Sequence, residues 1–263
     1  MEDREFHAMN ALLERRVGIR YALPQKGFVK SRLQRRMQEL GMENLEAYVR
    51  YLLAHEDKEW PYLYDHLVIH DSRFFRHGPS FALIQDALLP YWRQIHRPVR
   101  VWSVGCATGE EPYSLAMTLY ASLKERVHVF GNDISMASLR QAQRGIYPLR
   151  KLKDVPWAFK HYLRKAGAGF YQMAPEIRKR IAFFCCNVLH MACVARESMD
   201  LIVCQNLLLY FSQGRRRALL DQLTMRLRQG GSLILAPGEV NGWSHPAMAR
   251  IPYPCTLAFQ KNR

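Results

Sequence analysis

The chain has 263 residues, of which 49% are hydrophobic and 23% charged, so it is long enough for two small domains that each bury a core. It contains no apolar run of ~18 residues, and Met-Glu-Asp-Arg-Glu at its start is unlike a signal peptide, so we expect a cytoplasmic protein without a membrane span. The formal net charge of +15 favours an acidic protein, a nucleic acid or an anionic membrane as a partner.

The basic excess lies in the second part of the chain. Residues 1–75 hold 12 basic and 12 acidic residues, whereas residues 76–263 hold 26 and 11. The segment from Arg140 to Arg180 alone has 11 basic and 2 acidic residues, which predicts a strongly positive surface.

Residues 1–66 are predicted to form a helical domain, because apolar residues recur at helical spacing between the breakers Gly18, Pro24 and Gly41. Within it, the stretch between Tyr21 and Gln38 has no acid. Its basic residues are Lys26, Lys30, Arg32, Arg35 and Arg36. The last three would share one helix face, which is either solvated or directed at an acidic partner.

A linker and a long helix are expected over residues 67–98, with the helix running from Leu67 to Trp92. An α/β domain should follow over residues 99–263. Its strands are expected near 99–104, 127–132, 181–186, 199–205, 232–236 and 255–260, with helices between them that imply a mostly parallel sheet. Residues 148–180 depart from this alternation, and Gly167 to Met173 is typical of a turn leading into a short strand.

The most informative segment runs from Val101 to Met117, as a buried strand, a glycine turn and a helix opened by two acids. The turn lacks the spaced glycines of dinucleotide folds and the Gly-Lys of nucleotide triphosphate sites. Glu110 and Glu111 would repel a pyrophosphate, so a cationic or neutral ligand such as S-adenosylmethionine is favoured. The alternative is a plain helix start with two solvated glutamates.

A second acid supports a nucleoside site. Asp133 ends the apolar strand that begins at Val127, at about the distance from the glycine turn at which such folds bind ribose hydroxyls. The alternative interpretation of Asp133 is a helix cap.

Several motifs occur together in one order along nearly the whole chain. They are Gly18-Ile19 with Lys30 to Arg36, Asp71 to Arg76, Trp102 to Met117, Asn132 to Ile134, Gly145 to Tyr147, Cys204 to Phe211, and Gly230-Gly231 with Glu239. In this order they resemble the CheR-type chemotaxis receptor glutamate methyltransferases. The resemblance implies a small helical domain followed by a Rossmann-like class I S-adenosylmethionine-dependent methyltransferase domain with an inserted β-subdomain at 148–180.

The resemblance also implies the site. Arg76 and Tyr210 would face the methyl group and the incoming carboxylate as catalytic residues. The cofactor would contact His70, Ser72, Arg76, Glu111, Asp133, Asn187, Val188, Gln205 and Asn206. Glu111 would accept from the amino group of the cofactor, Asp133 from its ribose, and Asn187 would lie near its adenine. No metal is implied, and the product would be S-adenosylhomocysteine.

The implied substrate is a glutamate in the cytoplasmic signalling domain of a membrane chemoreceptor, whose acidic helices the basic N-terminal helix would meet. A glutamate, with its ordinary pKa near ~4.3, is already ionised at neutral pH, so positioning and desolvation would carry the reaction. We expect a monomer that binds no nucleic acid.

Some residues depart from the family pattern. Gln205 stands where the family usually has Arg, and His70 and Ser72 stand where it usually has Asn and Thr. These departures indicate a divergent subgroup, and a type IV pilus chemosensory methyltransferase of the PilK kind is one candidate for it. The six cysteines form no C-x-x-C pair and are expected to be reduced core thiols. His66 and His70 stand at i,i+4, but no carboxylate lies between them as in H-E-x-x-H, so they are not expected to bind a metal.

Two other functions remain open at this stage. A nucleic-acid methyltransferase would explain the basic surface, but the segment Gln205 to Tyr210 has no proline of the kind that base-methylating enzymes carry there. A non-catalytic receptor-binding protein would explain the change at Gln205, although Arg76, Glu111, Asp133, Asn206 and Tyr210 are all retained.

Overall fold

The amino-terminal part is a helical bundle, as its apolar stripes predicted. The structure, a computed structural model, describes residues 1–68 and 71–262. The bundle helices are α1 (Asp3–Val17), α2 (Lys26–Glu39), α3 (Leu45–Ala54) and α4 (Glu56–Leu67). Their apolar sides form one core that includes Phe6, Leu33, Tyr48 and Leu63.

An ion pair is enclosed in this bundle. The carboxylate of Glu59, whose side chain is 1% exposed, accepts hydrogen bonds from Arg36 Nε (2.8 Å), Arg36 Nη2 (2.7 Å) and the Tyr48 hydroxyl (2.6 Å). The predicted common face of Arg32, Arg35 and Arg36 is therefore wrong for Arg36, because α2 packs on α4 with that side chain turned inward. Arg32 and Arg35 are exposed.

The predicted long helix from Leu67 is also different in the structure. Helix α4 ends at Leu67, and helix α5 (Gly78–Leu83) begins only after the irregular residues 71–77. A π-helical segment, Ile84–Leu88, joins α5 to α6 (Leu89–Gln94). Pro90 has no N–H for an α-helical bond to Asp86, and its ring would crowd that carbonyl, which accounts for the wider turn just before it.

The second part is built on a seven-stranded sheet. Its strands are β1 (Val99–Val104), β2 (Val127–Asp133), β6 (Ile181–Cys185), β7 (Met199–Cys204), β8 (Leu227–Leu235), β9 (Met248–Arg250) and β10 (Leu257–Lys261). The order is β6-β2-β1-β7-β8-β10-β9, and the neighbours from β6 to β8 are parallel, whereas β10 pairs antiparallel with both β8 and β9. This confirms the predicted Rossmann-like sheet.

Helices cover the sheet and leave its strand ends open. They are α7 (Glu110–Leu123), α8 (Met136–Arg144), α9 (Pro175–Arg178) and α10 (Gln213–Arg226). Strand β8 begins five residues before its predicted start, because Leu227 pairs with Met199 ahead of a register shift. The interior on the two sides of the sheet is apolar, with Trp102 and Tyr113 among its largest buried side chains.

The predicted insertion is a three-stranded antiparallel sheet of β3 (Ile146–Pro148), β4 (Leu163–Lys165) and β5 (Phe170–Met173) in the order β3-β5-β4. Gly167 and Gly169 both have positive φ (117° and 72°) in the turn before β5. The expected turn and short strand are thus confirmed.

The bundle is tied directly to the sheet domain. Ile19 forms an antiparallel bridge with Phe211, and Arg20 N–H donates to Tyr210 O (3.0 Å). Gly18 permits this approach, because a Cβ on it would lie 2.5 Å from the Phe211 ring, and its φ is +78°. Asp65 at the end of α4 accepts from Ser135 Oγ (2.6 Å) and Ala137 N (3.2 Å) at the start of α8.

The cysteines differ from expectation. Cys186 and Cys193 form a disulfide, and Cys185 and Cys255 are exposed, so only Cys106 and Cys204 are the buried free thiols that were predicted. Over the described ranges, no helix is both long and apolar enough to span a membrane.

Candidate functional site

The main cleft opens at the carboxyl ends of β1, β2 and β7. The strand order reverses between β1 and β7, and open α/β sheets bind ligands at this switch point. The cleft encloses about 840 Å³ of space open to solvent on one side. Its lining includes Ser72, Arg76, Glu111, Asp133, Gln205, Asn206 and Tyr210, so seven of the predicted site residues converge there.

A glycine turn after β1 forms the floor of the cleft. Gly105 has φ +70°, and a Cβ there would meet the Leu207 side chain at 3.2 Å. Two residues on, Ala107 also has positive φ (46°) and donates its N–H to Asp133 Oδ2 (2.9 Å). The turn therefore brings bare backbone to the cleft and is held there by the acid at the end of β2.

Asp133 stands where two cavities meet. It is 5% exposed and also accepts from Ser135 N through Oδ1 (2.9 Å). The second cavity, of about 380 Å³, shares Asp133, Gly105, Ile19 and Leu207 with the main cleft. The alternative helix-cap interpretation of Asp133 is wrong, because Ser135 caps α8 by accepting from Ser138 N (3.1 Å).

The two glutamates at the start of α7 have different surroundings. Glu111 lines the cleft and accepts from Ser103 Oγ (2.6 Å). Burial raises its pKa to about 7, to which the nearby Glu239 adds, whereas the Ser103 hydrogen bond and Arg76 oppose the rise. Glu110 is fully buried and pairs with Lys151 while accepting from Thr108 Oγ1 (2.7 and 2.8 Å). The alternative of two solvated glutamates is therefore wrong.

Arg76 and Tyr210 face the same cleft. Arg76 Nη1 donates to Asp71 O (2.6 Å), and Nη2 lies 3.2 Å from Asp71 Oδ2. Asp71 thus holds the guanidinium by both its backbone and its carboxylate. Tyr210 is half-buried, and burial raises the pKa of its hydroxyl, with a further contribution from Asp71 that Arg76 opposes.

Gln205 and Asn206 follow β7. Gln205 Nε2 donates to Ser80 Oγ (2.9 Å) and to Leu235 O (3.3 Å), which fixes its amide against α5 and β8. Asn206 has φ +60°, a left-handed conformation that asparagine tolerates better than most residues. The chain thus turns sharply between the end of β7 and Tyr210.

Asn187 and Val188 line the second cavity and not the main cleft. Asn187 Nδ2 donates to Arg16 O (3.0 Å) and its Oδ1 accepts from Leu189 N (3.0 Å). Its amide therefore orders the cavity wall and ties it to α1. His70 lies outside the described residues.

Two family profiles match this chain, and together they cover most of it. A profile described as the all-alpha domain of CheR methyltransferase matches residues 4–68, and one described as the SAM-binding domain of CheR methyltransferase matches residues 70–248. The chain belongs to the CheR methyltransferase family. The sequence-based resemblance is confirmed.

Named relatives of the family span most of the chain. Chemotaxis protein methyltransferase 2 of Pseudomonas aeruginosa is 32% identical over 242 residues, which cover 89% of this chain and 86% of that protein. The chemotaxis protein methyltransferase of Escherichia coli is 30% identical over 254 residues, covering 93% and 86%. The probable biofilm formation methyltransferase WspC of Pseudomonas aeruginosa is 28% identical, covering 95% of this chain and 60% of that protein.

The CheR cofactor, S-adenosylmethionine, fits the residues present. The second cavity is lined mostly by apolar side chains such as Val17, Val188 and Phe211, which suits a flat base. The main cleft supplies the carboxylates of Glu111 and Asp133, which suit an amino group and hydroxyls. Among the described residues, no cluster of His, Cys, Asp and Glu side chains could hold a metal ion.

Sequence reasoning missed the contribution of the bundle to the walls. Ile19, Tyr21 and Val68 line the main cleft, and Tyr21 is fixed by its hydroxyl on Leu67 O and by Asn10, which accepts from Tyr21 N (3.0 Å). Leu209, which is exposed, and Asp71 complete the rim. A signal for Ile19 was its place directly after Gly18 in the family motif; Tyr21 had none.

Proposed function

We propose that this protein transfers a methyl group from S-adenosylmethionine to glutamate side chains in the cytoplasmic signalling domain of a chemoreceptor. The observation that carries this proposal is one cleft that combines two acids on its inner side with Arg76 and Tyr210 at its rim. The names of the relatives from Pseudomonas aeruginosa and Escherichia coli support methylation in chemotaxis signalling.

The cofactor would be held by the inner part of the site. Asp133 would accept from the ribose hydroxyls at the junction of the two cavities, and the base would enter the cavity beside Asn187 and Val188. Glu111 would accept from the amino group, and Asn206 and Gln205 would lie beside the methionine part. Since the side-chain N–H groups of Gln205 are directed at Ser80 and Leu235, this residue would act chiefly through its carbonyl oxygen.

When bound, S-adenosylmethionine supplies a sulfonium methyl group, which forms a C–O bond with the acceptor carboxylate as the C–S bond breaks and its electron pair stays on sulfur. No proton has to move, because the acceptor is already ionised. The protein must therefore orient the carboxylate and exclude water, which is work for positioned side chains.

Arg76 suits the acceptor carboxylate. Its guanidinium is held by Asp71 and keeps further N–H groups for an anion, since arginine has five donors. The Asp71 contact also shares the positive charge, so the acceptor would be oriented without binding too tightly to react. Tyr210 would close the rim beside it.

The receptor would be read by exposed positive charge. In the bundle, Arg32 and Arg35 are exposed on α2 and Lys30 is partly exposed; Arg35 meets only the surface residue Glu39, whereas Arg36 is bound to the buried Glu59. The basic segment from Arg140 to Arg180, which is tied to the start of α7 by the pair of Lys151 with Glu110, is the second such surface. These two surfaces would bind an acidic receptor in the same way whether that receptor controls chemotaxis or pilus-based motility.

The test measures methyl transfer to purified signalling domains of the chemoreceptors encoded in the same genome as this protein. We expect tritiated S-adenosylmethionine to label one of them, and the label to be released by mild base as a carboxyl methyl ester is. Arg76→Ala should lower kcat strongly, and Tyr210→Phe more mildly, with little change in S-adenosylhomocysteine affinity by calorimetry.

The opposite outcomes separate the alternatives. Binding of both the cofactor and a receptor domain without methyl transfer would identify a non-catalytic receptor-binding protein. Base-stable label, or label in added nucleic acid, would indicate a different acceptor. Full activity in both variants would remove Arg76 and Tyr210 from the site.

A further inference from the structure

One arginine outside the cleft gathers the backbone around Tyr210. Arg216 lies in the first turn of α10 and directs its guanidinium at three main-chain carbonyls. Nε donates to Phe211 O (2.8 Å), Nη1 to Glu239 O (3.1 Å) and Nη2 to Leu209 O (3.3 Å).

These contacts bracket Tyr210. The carbonyls of the residues before and after it are held by Arg216, and its own carbonyl accepts from Arg20 N of the bundle (3.0 Å). Three successive carbonyls are therefore fixed from outside the segment. Of these outside contacts, those of Arg216 come from a side chain and can be removed by substitution.

The segment is held at its two ends by the buried side chains of Leu208 (0% exposed) and Phe211 (3% exposed), and the Glu239 carboxylate accepts from the backbone of Asn206, Leu208 and Leu209. Between the left-handed Asn206 and the start of α10 it makes only a short 3₁₀ turn, Leu208–Tyr210, and the Leu209 side chain is exposed. Such short turns have weaker hydrogen bonds than an α-helix. Tyr210 lies between these two ends, and Arg216 adds side-chain hydrogen bonds to the carbonyls on both sides of it.

Arg216 also binds the turn after β8, through the carbonyl of Glu239. Glu239, 6% exposed, accepts from Ala236 N through Oε2 (3.2 Å) just after β8, so the carbonyl that Arg216 contacts belongs to an ordered turn. The guanidinium is planar with fixed donor directions, so it can define the positions of all three carbonyls at once. Its neighbour Arg217 is exposed and contributes to none of these bonds.

We propose that Arg216 is a positioning residue for methyl transfer, which holds Tyr210 at the rim of the cleft by clamping the carbonyls on both sides of it to the turn at Glu239. This inference rests on the proposed function, in which Tyr210 faces the reacting groups. It predicts that Arg216 affects the rate of transfer without touching the substrate or the cofactor.

The kinetic test compares Arg216→Ala with Arg217→Ala, which removes the same charge from the adjacent position. We expect Arg216→Ala to lower kcat by about tenfold to a hundredfold, as small misplacements do, with S-adenosylhomocysteine affinity unchanged. The kcat of Arg216→Lys should lie between those of wild type and Arg216→Ala, because an ammonium cannot reach three carbonyls in fixed directions. Arg217→Ala should keep the wild-type kcat.

Two further measurements separate positioning from general destabilisation. Arg216→Ala combined with Tyr210→Phe should lose less activity than the product of the single losses, because both act through one hydroxyl. In protein labelled with 3-fluorotyrosine, the ¹⁹F resonance that disappears in Tyr210→Phe should shift or broaden in Arg216→Ala but not in Arg217→Ala.

The fluorine measurement requires no turnover, so it tests the clamp even if no receptor is methylated and the proposed function fails. An unchanged Tyr210 resonance in folded Arg216→Ala overturns the proposal. A lower melting temperature with unchanged kcat, or fully multiplicative losses with Tyr210→Phe, also overturns it, since Arg216 would then stabilise the fold or act by another route.

Discussion

At the scale of single residues, the carboxylate of Asp133 in the cleft also holds the protein backbone. Asp133 already accepts from the backbone N–H groups of Ala107 and Ser135. Removing its whole side chain would leave both donors without this acceptor and disturb the glycine turn. A test of its ligand role therefore needs an isosteric change.

Asp133→Asn should weaken S-adenosylhomocysteine binding by roughly 1–3 kcal/mol, the range for a lost hydrogen bond to a charged acceptor. Asp133→Asn should also lower the melting temperature, because its amide keeps one acceptor oxygen and turns an NH2 group toward one of the two backbone donors, and Asp133→Ala should lower it further. Calorimetry and thermal unfolding give the two values, with the exposed Asp154→Asn as control. Unchanged affinity in folded Asp133→Asn would reject the ribose assignment.

Glu111 should make cofactor binding sensitive to pH, because its pKa of about 7 means that its charge changes near neutral pH. The amino group of the cofactor is a cation that prefers the ionised carboxylate. We expect the affinity for S-adenosylmethionine to rise between pH 6 and pH 8, roughly through the pKa of Glu111. Glu111→Gln should bind weakly and flatten this profile; a profile that keeps its slope would assign the titration to another group.

The same residue affects folding stability in the opposite sense. Its pKa is raised from an ordinary 4.5 to about 7, so the folded state keeps a proton that the unfolded state has lost between these values. Stability must then fall as pH rises through this window, by up to about 3 kcal/mol from this group. In thermal unfolding, Glu111→Gln should gain stability over wild type at pH 8 and not at pH 4.

At the scale of the elements, helix α2 serves the bundle on one side and solvent on the other. Burial would raise the pKa of Glu59, but the hydrogen bonds from Arg36 and Tyr48 hold it below its ordinary value. The pair therefore stays ionised in the interior. Arg35, the residue directly before Arg36, pairs only with Glu39 at the surface (3.3 Å).

Arg36→Ala should destabilise the protein by roughly 3–5 kcal/mol, because it leaves the charge of Glu59 buried without its partner. Arg35→Ala, which breaks only an exposed pair, should cost about 0–1 kcal/mol. Because the pKa of Glu59 is lowered in the folded state, the contribution of the pair is present at neutral pH and lost as pH falls through that value. Urea unfolding at pH 7 measures both variants; equal losses would contradict a structural role for Arg36.

At the scale of the whole molecule, the bundle and the sheet domain build the cleft jointly. Contacts through Ile19, Arg20 and Asp65 fix the bundle against Phe211, Tyr210 and α8. The exposed basic side of α2 and the basic segment from Arg140 to Arg180 are therefore held in a constant relation to the site. Either could direct an acidic receptor to it.

We expect reversal of Lys30, Arg32 and Arg35 to Glu to raise the receptor KM at low salt, with a smaller effect at high salt, since exposed charges act mainly on encounter. Cofactor affinity should not change. Arg36 is left out, because its reversal would unfold the bundle. The matched variant reverses Arg150, Lys153 and Lys165, which are also exposed. If only this second set slows methylation, the docking surface lies on the β-subdomain side.

The sequence alone determined the features that depend on local pattern. Strand periodicity and the glycine turn predicted the sheet and placed Glu111 and Asp133 at the strand ends where ligands bind, whereas the family resemblance implied that Arg76 and Tyr210 belong to the same site. Parallel strands bring their carboxyl ends to one edge, so residues that follow different strands meet without any further information.

Only the tertiary structure decided features that depend on contacts between distant segments. Arg32, Arg35 and Arg36 have the same local pattern, yet only Arg36 meets a buried acid, 23 residues away on α4. The disulfide of Cys186 and Cys193, the wall formed by Tyr21 and the clamp of Arg216 on Glu239 likewise depend on which surfaces pack together. Helical periodicity gives the angle between side chains around an axis, but packing sets which angle faces the interior.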